Sequence, residues 1–441
     1  MILFVYINYY KENPKSIDRY NSYKIRRTIM EQHKRSLLIP QYFKNFTCIG
    51  SDCEDSCCIG WRVDIDHNTY KKYRSLKDSK LTPLIKKNIS RNRSGDNEST
   101  YAKINLEEGR CPFLDEKKLC KIQLEKGHTY LSNVCTVYPR ITNSIDGTLE
   151  KSLTMSCPQA VRIALLNPQP MEFDECDESV DTTNMILHKF NVNDINMLTK
   201  GSKYFWDLRI FTISILQNRD YEIWERLIIL GLFTKEVQEV IDNNKINNIP
   251  EVIESYSSHV EKGIFKQGLK EIPTESFIQM KLLKEIADIK ILSGANSRRY
   301  KECFLEFLNG MNYDDAVKID EIWHRYTSAY ENYYSPFINQ HDYMLENYIV
   351  NHVFKNAFPL ANSKSMFNAY MMLVIHYSLI KMHLVGISAY NKGLTVELVV
   401  KLIQSFSKTV EHNSTYLKNI ENLMESNGFN TMAYMAILLK N

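Results

Sequence analysis

The 441-residue chain lacks an excess of either charge: 55 basic residues stand against 52 acidic ones, for a net charge of +3. Nucleic-acid binders concentrate Lys and Arg on one face, so that class of partner is not expected. Twelve prolines and fifteen glycines are few for this length, which argues against long disordered linkers. There is no internal repeat, low-complexity tract or sustained heptad run, so solenoids and coiled coils are set aside. No two glycines are spaced as G-x-G, which removes the glycine-rich loop that holds a nucleotide in doubly wound folds. The chain also has no C-x2-C pair and no C-x3-C-x2-C run, since Cys53 and Cys57 are followed directly by Cys58. Paired zinc knuckles are therefore missing, and so is the cysteine triad of radical enzymes that use S-adenosylmethionine.

A convincing export signal is missing as well. The opening MILFVYINYYKENPK is apolar for about six residues, with no basic stretch ahead of them and no small-residue cleavage site. A cytoplasmic, reducing compartment is the expectation, and disulfides do not persist there. One stretch, Tyr370 to Tyr390, approaches the length of a membrane span, but His376, Lys381 and His383 interrupt it. Each would be costly in lipid, so a buried helix of a soluble protein is expected and no membrane span.

What is present divides the chain unevenly. Its length exceeds the usual ~100–200 residues per domain, so more than one core is expected. Residues 1–33 form a lysine-rich extension, with Met30 an alternative start ahead of KRSLLIPQYFKNF. Residues 34–176 are rich in turn signals, among them Gly50-Ser51, Cys111-Pro112 and Asp146-Gly147. Short helices are expected there at Asp66 to Leu76 and Pro158 to Leu166. After the turn NPQP (Asn167 to Pro170) and the acidic stretch EFDECDESVD, residues 177–441 show three- and four-residue apolar spacing. Pro250, Pro273, Pro336 and Pro359 fall between these helical runs. The expected fold is mainly α, with a loop-rich cysteine module ahead of an α-helical body.

Eight of the ten cysteines lie between Cys48 and Cys157: Cys48, Cys53, Cys57, Cys58, Cys111, Cys120, Cys135 and Cys157. Thiolates are soft ligands that suit zinc, copper(I) and iron–sulfur clusters. Loops can wrap sulfurs around such a centre, whereas regular elements rarely bring four together. Free buried cysteines pack as small hydrophobes, which suits the isolated Cys303. That reading accounts poorly for the vicinal Cys57-Cys58 among polar neighbours. Cys176, in the acidic stretch, is expected to be unligated. Spacing alone leaves zinc and iron–sulfur both open.

The strings LIPQYFKNFTCIGSDCEDSCCIGWRVDID, CPFLDEKKLCKIQLEKGHTYLSNVCTVYPR and SLTMSCPQA together resemble the flagellin lysine-N-methylase family. The cysteine region also resembles a broader zinc- or iron-chelating domain. LENYIVNHVFKNAFPL and SFSKTVEHNSTYL in the second half are similar to the same family, so the resemblance runs from about Lys34 onward. It implies methyl transfer from S-adenosylmethionine to lysine side chains of flagellin, dependent on a 4Fe–4S cluster, with zinc the alternative. It further implies that ligands come from the eight cysteines; Cys53, Cys57, Cys111 and Cys120 are the preferred set for one cluster.

Trp61 is a candidate wall for the cofactor, and Arg62 and Arg140 are candidates to grip its carboxylate bidentately. NPQP is read as a turn. His376 and His383 share a helix face and are expected to be core histidines. Glu346, Asn347 and Tyr348 are expected on a helix face, and His412 near a helix end. Two competing readings remain: a non-catalytic metal-binding module that docks a protein partner, and a redox or metal-storage protein.

Overall fold

Turn signals in the first module close strands as well as loops. A computed structural model describes residues 34–441 apart from 78–79, 94–96, 180–181, 195–200, 293, 295–296, 314–318 and 361–363. The extension over residues 1–33, with Met30, lies outside the described residues.

The module runs β1 (Lys34–Pro40), β2 (Val63–Ile65), α1 (His67–Ser75), α2 (Leu81–Asn88), β3 (Ile89–Arg91), β4 (Ala102–Ile104), α3 (Lys121–Lys126), α4 (Asn133–Val137), β5 (Arg140–Ile145), β6 (Thr148–Leu153) and α5 (Pro158–Leu165), then β7 (Phe173–Ser179) and β8 (Ile186–Phe190). Both short helices expected from the sequence form. Asp66 caps α1 by accepting from the Thr69 amide at 2.9 Å, and α5 starts with Pro158 in its first turn.

The strands make a five-stranded sheet ordered β7-β1-β6-β5-β8 and a three-stranded sheet ordered β2-β4-β3. Asp146-Gly147 is the two-residue turn between β5 and β6, with φ of 53° and 82°. Only a turn with both central residues at positive φ matches the strand twist so tightly. The acidic stretch forms β7, an edge strand antiparallel to β1. Its carboxylates answer basic neighbours: Asp177 meets Lys34 at 3.3 Å, Glu178 meets Arg35 at 3.2 Å, and Asp174 meets Lys44 at 2.6 Å. Charge on an edge strand also discourages pairing with other chains.

The helical body follows as α6 (Phe205–Leu216), α7 (Ile223–Asp242), α8 (Ile249–Glu261), α9 (Phe265–Glu271), α10 (Ser276–Leu292), α11 (Arg298–Met311), α12 (Ile319–Ala329), α13 (Ser335–His341), α14 (Tyr343–Lys355), α15 (Met366–Asn391), α16 (Val396–Phe406), α17 (Ser414–Ser426) and α18 (Met432–Leu439). Two π-turns interrupt helical paths, at Tyr330–Tyr334 and Ser407–Glu411. Pro336 does not separate two helices as expected. The first π-turn precedes it, and the chain continues as α13 with the proline in its first turn, where its missing N–H breaks no bond.

Among the described residues α15 is the one helix long and apolar enough to span a membrane, and 94% of its apolar window is buried inside the fold. It crosses α11 at bare backbone: a Cβ on Gly310 would lie 2.0 Å from the Gly386 carbonyl oxygen. One large core joins Ile145 and Leu153 of the sheet and Tyr42 of the turn after β1 to α6, α7, α10–α12 and α14–α18. A second, small core of Val63, Ile65, Tyr73, Leu81, Ile85, Ala102, Ile104, Phe113 and Ile122 includes Cys111, and Cys58 and Cys120 pack against it.

Candidate functional site

Small size and few strands leave the second core stiffened mainly by loop-to-loop contacts, and those contacts are where the thiols gather. The Cys111 amide donates to the Cys58 carbonyl at 2.8 Å and the Gly60 amide to the Gly109 carbonyl at 2.8 Å. Cys57, Cys58 and Cys111 lie near enough for each thiol to perturb the next. The neighbouring Cys58 thiol, then burial, holds the Cys57 thiol well above its usual range. Cys58 is pushed up to about 12 by the neighbouring Cys111 thiol and by burial. Cys120 and Cys135 belong to the same group: burial raises both, Cys135 to about 11, and each feels the charge of Cys57.

Cys157, Cys53 and Cys48 form a second group. Burial pushes Cys157 up to about 12, with Cys53 and Cys48 adding to the effect. Cys53 also feels Cys57, so Cys57 lies between the groups. Three of the preferred ligands, Cys57, Cys111 and Cys120, are thus in the first group and Cys53 in the second. All ten cysteines are reduced. Cys176 pairs with Leu37 in the β7–β1 ladder, and Cys303 is buried in the large core, 1% exposed.

The donor set is chemically suited to a soft metal or an iron–sulfur cluster. Geometrically, no three His, Cys, Asp or Glu donors among the described residues are already arranged to hold one ion. Binding would draw the thiols together and displace their protons.

Helix α16 and the π-turn after it bring the helical body to the thiols. Lys408 donates to Asp55 Oδ1 at 2.7 Å and to the Ser56 carbonyl at 3.3 Å. Gln404 donates to Asp55 Oδ2 at 2.7 Å and to the Ser156 carbonyl at 2.9 Å. Two cysteine segments are therefore pinned by one helix. His412 Nε2 lies 3.0 Å from Ser156 Oγ and 3.2 Å from Thr154 Oγ1, and Tyr138 Oη is 3.2 Å from Ser156 Oγ. Trp61 closes this wall. Its indole donates to the Cys57 carbonyl at 2.7 Å, and its ring meets Tyr138 and His412 edge-on at 5.3 and 5.1 Å. Burial holds His412 down at about 4, so it is a neutral imidazole at neutral pH.

Glu411 turns inward. It accepts from Tyr348 at 2.7 Å and pairs with Lys355, beside His352 and His376, whose rings lie 5.0 Å apart. Burial alone would raise Glu411, but the positive charge of Lys355 and the two imidazoles hold it well below the carboxylate range.

The other sequence candidates take structural places. Arg62 is exposed and bonds Asp64 at 2.6 Å. Arg140 lies over the Phe46 ring at 5.1 Å and near Cys48. Glu346 is fully buried between Arg219 at 2.8 Å and Arg226 at 2.7 Å. Asn347 donates to the Asn167 carbonyl at 2.9 Å, and NPQP is an Asx turn, its Gln169 amide bonded to Asn167 Oδ1 at 3.1 Å. His383 sits in the core, with Nδ1 on the Leu379 carbonyl at 2.7 Å. Sequence reasoning missed Asp55, Tyr138, Ser156, Gln404 and Lys408. None carries a spacing signal, since they meet only across the seam.

The C-terminal domain of the FliB lysine N-methylases matches residues 209–438, a span that includes α16, the π-turn and His412. The chain belongs to the FliB lysine N-methylase family. A lysine-N-methylase of Salmonella choleraesuis (strain SC-B67) is 24% identical over 395 residues, 88% of this chain and 94% of that protein. The lysine-N-methylase of Salmonella typhimurium (strain LT2) aligns with the same identity and coverage. The flagellar biosynthetic protein FliU of Salmonella muenchen is 32% identical over 136 residues, 31% of this chain and 80% of that one. No solved structure matches. Membership in the FliB family supports a lysine methyltransferase role.

Proposed function

We propose that this chain is a cytoplasmic methyltransferase that depends on an iron–sulfur centre, a 4Fe–4S cluster held by the thiols, and moves a methyl group from S-adenosylmethionine to lysine side chains of flagellin. The observation that carries the reading is the seam. The family's own domain sends Lys408, Gln404 and His412 onto the loops that carry Cys53, Cys57, Cys58 and Cys157. The ligands would come from Cys57, Cys58, Cys111, Cys120 and Cys135, with Cys48, Cys53 and Cys157 beside them. A bound cluster would supply a Lewis-acidic or electron-rich iron at this wall.

The chain's own residues must do the rest. A lysine ammonium has no lone pair, and its ordinary pKa is about 10.4, so the site must favour the neutral amine. His412 is neutral, and the charge of Lys408 is answered by Asp55. The wall therefore places no uncompensated cation where an amine and a sulfonium must meet. Trp61 and Tyr138 offer aromatic surface, and the Tyr138 and Ser156 hydroxyls beside the His412 imidazole can accept hydrogen bonds from the amine.

Anaerobic purification tests the centre: a brown protein with sulfur-to-iron charge-transfer absorbance is expected, and a colourless zinc protein would overturn it. Mass spectrometry of flagellin co-expressed with the chain tests the reaction, and lysines without methylene-sized mass steps would defeat it. Cys57→Ala and Cys120→Ala should lose both colour and activity, whereas Cys303→Ala should keep both.

A further inference from the structure

A cavity of about 250 Å³ lies between α5, α11, the start of α16 and Glu54, the residue that follows Cys53. Its polar lining carries both signs. Arg162 and Arg299 face it together with Glu54 and Glu397, and Leu166 and Val400 supply an apolar wall. Arg162 grips Glu54 through both terminal nitrogens. Arg299 donates its Nε to Gln404 at 2.9 Å, and among the described residues no other hydrogen bond holds its guanidinium fork. Lys401 adds a third cation, shared with Glu302 at 3.3 Å and Glu306 at 3.1 Å.

Opposite charges flanking a short apolar wall are what a zwitterionic amino acid requires: a fork for the carboxylate, a carboxylate for the ammonium and a surface for the methylenes. A larger groove of about 480 Å³ on α6 and α8 has Asp207, Glu254 and Glu261 but no cation, so it lacks half of that pattern. The connection to the thiols is covalent. Glu54 follows Cys53 directly, and the helix bearing Arg162 starts directly after Cys157. Gln404, the partner of Arg299, also holds Asp55 and the Ser156 carbonyl.

We propose that this cavity holds the methionyl end of S-adenosylmethionine, its carboxylate on Arg299 and its ammonium toward Glu397. The assignment rests on the function proposed above and replaces Arg62 and Arg140 as the carboxylate grip. The adenosine would lie outside a cavity of this size, toward solvent.

The test is equilibrium binding of radiolabelled S-adenosylmethionine and of 5′-methylthioadenosine, which lacks the amino-acid end, to the full-length protein purified anaerobically. Arg299→Ala and, separately, Glu397→Gln should each weaken S-adenosylmethionine about tenfold or more, the effect of removing a charged hydrogen bond. Methylthioadenosine binding should be unchanged in both. Circular dichroism and thiol count report whether each variant keeps the fold, and the exposed Glu397 guards against a misfolded Arg299 variant. Wild-type affinity in both folded variants overturns the cavity assignment and leaves the function standing. Failure of the unsubstituted protein to bind S-adenosylmethionine at all overturns both.

Discussion

Breaking the Lys408–Asp55 pair should loosen the cysteine loop without touching a cysteine. The two groups meet at 2.7 Å, with side chains only 6% and 14% exposed. Two unit charges 4 Å apart interact by about 4 kcal/mol at an effective dielectric of 20, and removing one partner of a buried pair leaves the other uncompensated. Gln404 still bonds Asp55 when Lys408 is gone, so Lys408→Met should cost about 2–3 kcal/mol rather than the full penalty. The readout is amide hydrogen exchange over Cys53–Gly60, whose amides bond locally to Gly50, Ser56 and Gly109. That cost corresponds to exchange about 30- to 160-fold faster if opening is local. Asp55→Asn should act similarly, and the double variant should fall short of the sum by about 2 kcal/mol. Lys408→Arg, which keeps the charge, should recover part of the protection. Strict additivity of the two substitutions, or an unchanged exchange rate in the loop, would refute the clamp.

Three further substitutions probe the body. His383 is held down at about 4 by burial, whereas the unfolded chain binds the proton near 6.5. Its stabilising contribution is therefore complete above about pH 6.5 and lost as pH falls toward 4; about 2 kcal/mol should go between pH 7 and 5. Denaturant midpoints across that range should show it, with a shallower fall in His383→Gln. Gly386→Ala gains up to about 1 kcal/mol of helix propensity. The new Cβ, however, would lie 2.4 Å from the Phe307 ring and 2.9 Å from its Cα, so a net loss of about 1–3 kcal/mol is expected in thermal melts. Glu346→Ala strands Arg226, 2% exposed, and should cost about 3–5 kcal/mol; unchanged stability would show that the pair is dispensable.

The helical body was legible because apolar spacing at three and four residues survives in α6, α7, α14 and α16, and because α15 is apolar on every face. The sheets were harder to read. β2, β3 and β4 are three residues each, too short for alternation to register. β7 is acidic because it is an edge strand facing Lys34, Arg35 and Lys44, and so it reads as a linker. The Asp146-Gly147 signal was visible as a turn, yet its flanks ITNSI and TLEKSL do not alternate cleanly, because residues on both faces of β6 are buried. For the site, cysteine spacing identified the donors but not their grouping. Cys53 and Cys57 are four residues apart in sequence, yet Cys53 groups with Cys157 and Cys57 with Cys111. The loop contacts from Cys58 to Cys111 and from Gly60 to Gly109 bring Cys57 to the Cys111 segment, and it is the influence of Cys53 and Cys48 on Cys157 that links the other three.

The π-turn at Ser407–Glu411 explains how one short segment serves two environments. In an α-helix, residues three and four apart share a face, so Glu411 and His412 would both follow Lys408 toward the cysteines. The extra residue of a π-turn rotates the segment. Lys408 and His412 stay on the seam, bonded to Asp55 and to Ser156 and Thr154, while Glu411 swings into the body to Lys355 and Tyr348. A carboxylate left at the seam would attract the ammonium form of a lysine and stabilise its proton. Turned inward and neutralised by Lys355, it cannot, and the seam keeps His412, Trp61 and Tyr138 as an uncharged face, the one the proposed function needs for an amine.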